Sequence, residues 1–271
     1  MIILDWLFNL ETPEQQNGGF DMNAMLQDKV AIVSGAGSGL GRGIALAFGR
    51  EGARLVLADM SVEGGERTAA ELKAAGAEAV FVEGDVADPA YHGELVARAG
   101  SEFGRLDIAV NNAGISHPVA PLAEIPRETW DKVIAVNLSG MFHALQAQIP
   151  ALLENGSGAI VNMASLGGVV GARGLSPYAA AKHGVVGLTQ NVALEYATQG
   201  IRANAVGPGL IRTGLEKFFP PDQLAQLEAS HPIGRMGEVE EVAELVVWLA
   251  SPKASFVTGA FYPVDGGSLA Q

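Results

Sequence analysis

Cysteine is absent from the 271 residues, which excludes disulfides, thiolate catalysis and a cysteine-ligated metal. Basic residues are scarce: 17 Lys and Arg stand against 30 Asp and Glu, for a net charge of −13. A surface that binds nucleic acid or anionic lipid needs clustered Lys and Arg, so neither partner is expected. No run reaches the roughly 18 to 20 apolar residues of a membrane span. The opening "MIILDWLFNL" is apolar, but the first basic residue is Lys29. It therefore matches neither a secretory signal, which has a basic n-region, nor an Arg-rich transit peptide. Residues 1–27 read as an acidic extension that docks through Trp6, Leu7 and Phe8 on the body or on a neighbouring subunit. Met22 and Met25 are alternative starts that the sequence does not separate. The lack of cysteine fits a cytoplasmic protein, and no metal site is expected.

What is present points to a large core. Apolar residues make up 48% of the chain and glycines number 35, clustered at particular turns. Short apolar runs rich in Val and Ile recur at 29–34, 54–59, 79–84, 107–112, 159–165, 201–208 and 260–264. They mostly lack period-two alternation, as strands covered on both faces do. Helix-like stretches such as "GLGRGIALAFGREG" and "VEEVAELVVWLAS" separate them. Strict alternation predicts an α/β fold, with one doubly wound, parallel, seven-stranded sheet of Rossmann type over residues 28–271. The stretch Thr213 to Glu238, with Phe218, Phe219 and two prolines, follows a strand end and reads as a lid over a ligand pocket.

"VSGAGSGLGRG" joins the first strand to the first helix. Glycines at 35, 37, 39 and 41 let backbone approach a pyrophosphate, and the helix N-terminus offers free N–H groups. Asp59 ends the second strand, where a carboxylate accepts hydrogen bonds from an adenosine ribose. A 2′-phosphate beside it meets repulsion of about 4 kcal/mol at ~4 Å and an effective dielectric of ~20. Neither Ser38 nor Met60 supplies a compensating charge, and Arg42 lies just inside the helix. NAD is thus expected in preference to NADP.

Ser176 followed by Pro177 is a helix start. It puts Tyr178 in the first turn and Lys182 one turn on, along the same face. By itself such a pair is surface decoration. The rest of the chain argues otherwise. Ser165 ends the strand "AIVNMAS" at the carboxyl edge of the sheet. Asn137 sits in the apolar stripe of Trp130, Ile134, Met141 and Leu145, where a buried amide needs partners; it is a helix-bending device or part of a polar network. "NNAG", residues 111–114, ends a further strand.

At these residues the chain resembles the single-domain short-chain dehydrogenase/reductase family, over roughly residues 28–271. The family's TGxxxGxG motif is matched with Ser34 for threonine, then Gly35, Gly39 and Gly41, with Ser38 and Leu40 between them. The motif NNAG is matched through Asn112, Ala113 and Gly114, and YxxxK by Tyr178 and Lys182. Asn137 and Ser165 fill the two remaining catalytic positions. Asp85 and Val86 stand where the family holds the adenine ring. Pro208 and Gly209, with Ile211 and Thr213, stand where it seats the nicotinamide. The resemblance implies hydride transfer between a secondary alcohol and its ketone. Tyr178 would act as acid or base, with its pKa lowered by Lys182. Ser165 would bind the substrate oxygen, and Asn137 would hold a water that links Lys182 to solvent. A homotetramer or homodimer is implied as well.

A small cyclic or aryl alcohol is the expected substrate, because the borders "GISHPVAPL" and 213–236 are mainly apolar. Arg173, Arg212, Lys217 and Arg235 leave a carboxylate substrate open. His117 reads as a solvated loop residue in preference to a substrate contact. Alternatives are a 3-oxoacyl thioester reductase, a sugar dehydrogenase, or an NAD(H)-binding sensor without catalysis. The usual preference of the first for NADPH and the wider Tyr–Lys spacing of enoyl reductases count against those branches.

Overall fold

The computed structural model describes residues 24–214 and 221–271. Trp6, Leu7 and Phe8 of the expected extension, and Lys217, Phe218 and Phe219 of the expected lid, lie outside the described residues. Leu26, within the stretch read as the extension, is fully buried in the core, and its N–H donates to the Glu51 carbonyl at 3.0 Å.

Seven strands form one parallel sheet. In chain order they are β1 (Val30–Ser34), β2 (Arg54–Asp59), β3 (Ala79–Glu83), β4 (Ile108–Asn111), β5 (Gly158–Met163), β6 (Ile201–Pro208) and β9 (Phe261–Val264). Their spatial order is β3-β2-β1-β4-β5-β6-β9, every pair parallel. A separate two-residue pair joins β7 (Ile211–Arg212) to β8 (Gly237–Glu238). The sequence alternates apolar with apolar because both sheet faces are covered. Ala31, Val33, Leu55, Leu57, Ile108 and Val110 point to the layer of α1 (Gly39–Arg50), α2 (Val62–Ala74) and α8 (Val239–Ala250). Val30, Ile32, Val56, Ala58 and Ala109 point to the layer of α3 (Pro89–Phe103), α5 (Gly140–Glu154) and α6 (Ser176–Tyr196). The order reverses between β1 and β4, and in open α/β sheets the crevice at that switch point takes the ligand.

Buried polar residues inside the second layer bond one another. Asn111 on β4 donates to Gln148 of α5 at 3.0 Å and to Asn162 of β5 at 2.9 Å, and Gln148 donates back to Asn111 at 2.9 Å. Asn162 then donates to the Thr189 hydroxyl of α6 at 2.9 Å. This buried chain locks two strands to two helices just beneath the carboxyl edge. At the opposite edge Arg202 caps the end of α8, donating to the carbonyls of Leu249 at 2.8 Å and Ser251 at 3.1 Å, where a cation complements the helix dipole.

Replacing Gln148 with Leu leaves the Asn111 amide oxygen buried and without its donor. The expected cost is about 1–3 kcal/mol of folding stability, read as a lower urea midpoint; an unchanged midpoint would remove the network from the account of the core.

Candidate active site

The first crossover builds a phosphate cradle. After Ser34 the chain turns through Gly35 at φ +68 and Gly39 at φ +50, left-handed conformations that side chains resist. Gly41 lies so close to the Gly35 carbonyl that a Cβ would come within 2.0 Å of its oxygen. Ser38 precedes α1 with no side-chain capping bond, and α1 opens at Gly39. The first-turn N–H groups, including those of Leu40 and Gly41, have no partners within the helix. Asp59, at the end of β2, orients this loop: its carboxylate accepts from the Gly37 N–H at 2.8 Å and from the Ser61 N–H at 2.8 Å. Arg42 is not free to neutralise a second phosphate, because it is ion-paired with Glu71. Arg67, on α2, donates to the Gly37 carbonyl at 3.2 Å, so one cation does stand beside the acid.

The walls of the cradle come from the next two strand ends. Asp85 accepts from the Ala87 N–H at 2.9 Å. The Val86 carbonyl accepts from His92 Nε2 at 2.8 Å. Ser34 Oγ accepts from the N–H groups of both Asn112 (3.0 Å) and Ala113 (3.1 Å), so the serine at the motif's threonine position ties the end of β1 to the end of β4. The Asn112 side chain is spent on the Ser34 carbonyl at 2.9 Å and braces the loop.

At the far end Pro208 closes β6. The Leu210 N–H donates to His231 Nε2 at 3.2 Å, and Ile211 pairs with Gly237. Thr213 then returns over the glycine turn: its Cβ lies 3.4 Å from where a Gly39 Cβ would stand. Thr213 therefore sits at the glycine turn. The described part of the lid holds α7 (Pro221–Ala229). Arg212 is ion-paired with Glu228 and with Glu238, and Arg235 with Glu241. These two charges are satisfied locally, whereas Arg173 is exposed.

The four candidate catalytic residues meet where β4 and β5 end. Ser165 lies two residues beyond β5, a strand shorter than expected, and its Oγ accepts from the Gly167 N–H at 3.2 Å. A Cβ on Gly167 would stand 3.7 Å from both Ser165 Oγ and Tyr178 Cε1. Lys182, only 4% exposed, places Nζ 5.7 Å from the Tyr178 ring centroid. It donates to the Met163 carbonyl at 2.6 Å. Asn137 is 1% exposed and is both things its sequence context allowed. It occupies a turn of π geometry, Ala135–Ser139, between α4 (Arg127–Ile134) and α5, a distortion that often marks functional sites. Its amide also clasps the backbone of Ile115, accepting from the N–H and donating to the carbonyl, each at 2.8 Å. Gly114 separates it from Lys182: a Cβ there would stand 3.2 Å from Asn137 Oδ1 and 3.6 Å from Lys182 Nζ.

Burial shifts the two titrating groups in opposite directions. The Tyr178 phenol is pushed up from its usual value by burial, with the Ser165 hydroxyl pulling the other way. The ammonium faces the ring and bonds a carbonyl, and burial lowers its own pKa to about 8. One expectation changes. His117 Nδ1 lies 2.8 Å from the Pro118 carbonyl oxygen, and Nε2 is buried with no hydrogen-bond partner, so this histidine is not simply solvated. Two contributors, Arg67 and His231, carry no local signature; each matters through a contact with residues 21 or more positions away.

Among the described residues, no helix is long and apolar enough to cross a membrane, and no group of three His, Asp or Glu could hold a metal. A family model described as enoyl-(acyl carrier protein) reductase matches residues 35–268. The cyclohexanol dehydrogenase of Acinetobacter sp. is 44% identical over 245 residues, 90% of this chain and 96% of that protein. The cis-4-hydroxycyclohexanecarboxylate dehydrogenase of Sinomonas cyclohexanicum is 44% identical over 246 residues, 91% of this chain and 98% of that one. The crystal structure of carveol dehydrogenase from Mycobacterium avium in complex with NAD superposes with a TM-score of 0.87 at 31% identity, covering 92% of this chain and 100% of that one. The chain belongs to the short-chain dehydrogenase/reductase family and is an oxidoreductase acting on CH–OH groups.

Proposed function

We propose that the protein interconverts a small ring secondary alcohol and its ketone with NAD, using Tyr178, Lys182, Ser165 and Asn137. The observation that carries this is the meeting of a phenol, a buried ammonium and a hydroxyl beside the glycine turn. The apolar exposed residues Val119, Leu122, Val169 and Val170 around that point, and relatives named for cyclohexane-ring alcohols, support a ring as substrate.

The cradle fits a dinucleotide: open N–H groups at a helix start, glycines where a side chain would fill the space, and a carboxylate at the ribose position. Gly35, Ser38, Gly39, Leu40 and Gly41 would hold the pyrophosphate and Asp59 the adenosine ribose. Asp85 and Val86 would flank the adenine, with Asn112, Ala113 and Gly114 along the floor. Pro208, Ile211 and Thr213 would seat the carboxamide. When bound, the nicotinamide accepts or supplies the hydride at the carbinol carbon. Ser165 donates a hydrogen bond to the substrate oxygen and fixes its distance from Tyr178. Tyr178 takes the hydroxyl proton in oxidation and returns it in reduction. Its raised pKa makes it a proton donor at neutral pH. Oxidation therefore requires positive charge brought near the ring, which favours the phenolate. Lys182 would bind the nicotinamide ribose hydroxyls. Asn137, its amide committed to Ile115, keeps one Oδ1 lone pair on the Gly114 side, where a water would pass protons from Lys182 outward. A cytoplasmic homotetramer or homodimer belongs to the same proposal, supported by the exposed Trp130, Phe142 and Leu194 on three helices.

Three outcomes test this. Tyr178→Phe lowers kcat/KM with NAD and a ring alcohol by about 10³-fold or more while NADH binding, followed by fluorescence, stays measurable; retained turnover would contradict the assignment. Asp59→Ala raises the NADP-to-NAD ratio of kcat/KM at least about 10-fold; an unchanged ratio would show that Arg67 already offsets the acid. Lys182 titrates near 8 when folded and near 10.5 when free, so between these values the unfolded chain binds the proton more tightly and stability from this group rises with pH. Relative to Lys182→Met, the wild type should gain about 1 kcal/mol per pH unit across that window in urea titrations. A flat difference would show that the amine is not buried as a cation.

A further inference from the structure

The carboxyl edge of the sheet holds the candidate active site. The opposite edge holds a separate cavity of about 200 Å³, which takes no part in the proposed function. It lies where the strands begin. Lys29 stands just before β1, Asp107 just before β4, Ser157 just before β5 and Arg202 near the start of β6. Ala250 and Pro252, at and beyond the end of α8, line it as well. Ser165, beyond the far end of β5, is roughly 20 Å away at ~3.3 Å per residue of strand, so an occupant of this cavity is not the substrate.

The charges lining it do not balance. Asp107 is the one acid among the lining residues, and it is fully engaged. Only 4% exposed, it accepts from the Val30 N–H at 3.0 Å and from Arg105 at 2.6 Å. Arg105 neutralises it, and the Lys29 ammonium, 3.7 Å away, stands beyond hydrogen-bonding distance. Arg202 bonds carbonyls alone: its terminal nitrogens donate to Leu249, Ser251 and Val257, and Nε donates to none of them. Burial lowers its pKa, and no carboxylate offsets that cost. The cavity is therefore positive, in a chain whose net charge is −13. A guanidinium and an ammonium are the groups that bind carboxylates. Lys29 and Arg202 belong to strands separated by β4 and β5, about 14 Å apart at ~4.8 Å per strand. That spacing suits two negative charges set apart better than one compact anion.

We propose that this cavity binds a short aliphatic dicarboxylate. One carboxylate sits on the Arg202 guanidinium and the other on the Lys29 ammonium, with the Ser157 hydroxyl as a further donor. The volume fits: a water takes ~30 Å³, so the space holds about six waters, or a four-carbon diacid in their place.

Isothermal titration calorimetry on the full chain tests this with succinate, succinamide and inorganic phosphate. Succinate binds once per chain, and Lys29→Gln and Arg202→Gln each weaken it by about 10-fold or more. Succinamide, of similar shape without the charge, does not bind, and phosphate binds more weakly than succinate. Arg202 also caps α8, so Lys29→Gln carries the test if Arg202→Gln does not fold; its unchanged NADH affinity shows that it is folded. The proposal is overturned by no heat from succinate at about 10 mM, where a millimolar site is saturated. Unchanged succinate affinity in Lys29→Gln, or succinamide or phosphate binding as tightly as succinate, overturns it as well.

Discussion

The bond from Lys182 Nζ to the Met163 carbonyl ties the helix that carries the phenol to the end of the strand that leads into Ser165. Burying an ammonium is costly unless it is paired and hydrogen-bonded, and here the partner is a neutral carbonyl. The cost shows as a lowered lysine pKa. It is accepted because that carbonyl lies two residues before Ser165. Whatever position Lys182 takes along β5 therefore fixes Ser165 relative to Tyr178. The buried chain Asn111–Gln148–Asn162–Thr189 reinforces the same junction one residue earlier, at Asn162. The serine and the tyrosine come from different elements, and this region of polar bonds is what holds their spacing.

Asn137 does the equivalent work on the other side. A regular helix from Arg127 to Glu154 would not present a side-chain amide squarely to an extended loop. One π turn rotates it so that oxygen and nitrogen both reach Ile115. Gly140 lets that turn pack onto the segment after β3, since a Cβ there would come within 2.7 Å of the Val86 carbonyl. One widened turn thus touches that segment, the loop after β4 and the neighbourhood of Lys182.

Much of this was legible in the chain. Strand runs without alternation identify a sheet covered on both faces; β2 and β6 match their runs, and the other five strands of the sheet are trimmed by one or two residues. β5 alone extends one residue further, to Gly158. The glycine turn was legible because positive φ and close approach leave no alternative residue. The Tyr–Lys spacing was legible because one helical turn is a fixed distance. Electrostatics was not. Whether a phenol pKa rises or falls depends on how much protein surrounds it and where the ammonium points, neither of which spacing encodes. Arg67 looks like an ordinary exposed helix arginine until the crossover lays it against Gly37. His231 lies in a stretch that reads only as irregular, yet it holds the Leu210 N–H.

The balance of charge in the site has a consequence for direction. With Tyr178 raised and Lys182 lowered, the chain by itself holds a protonated phenol beside a weakly held ammonium, the arrangement of a proton donor facing a carbonyl. Abstraction of a proton from an alcohol needs the phenolate; the Lys182 ammonium stands 5.7 Å from the ring centroid, while burial still raises the phenol. Under the proposed function, the oxidised cofactor would add positive charge near the ring, so that one phenol would serve both directions. Burial, which raises the phenol and lowers the ammonium, is what makes the coupling strong, because in a wet site neither shift would survive solvent screening.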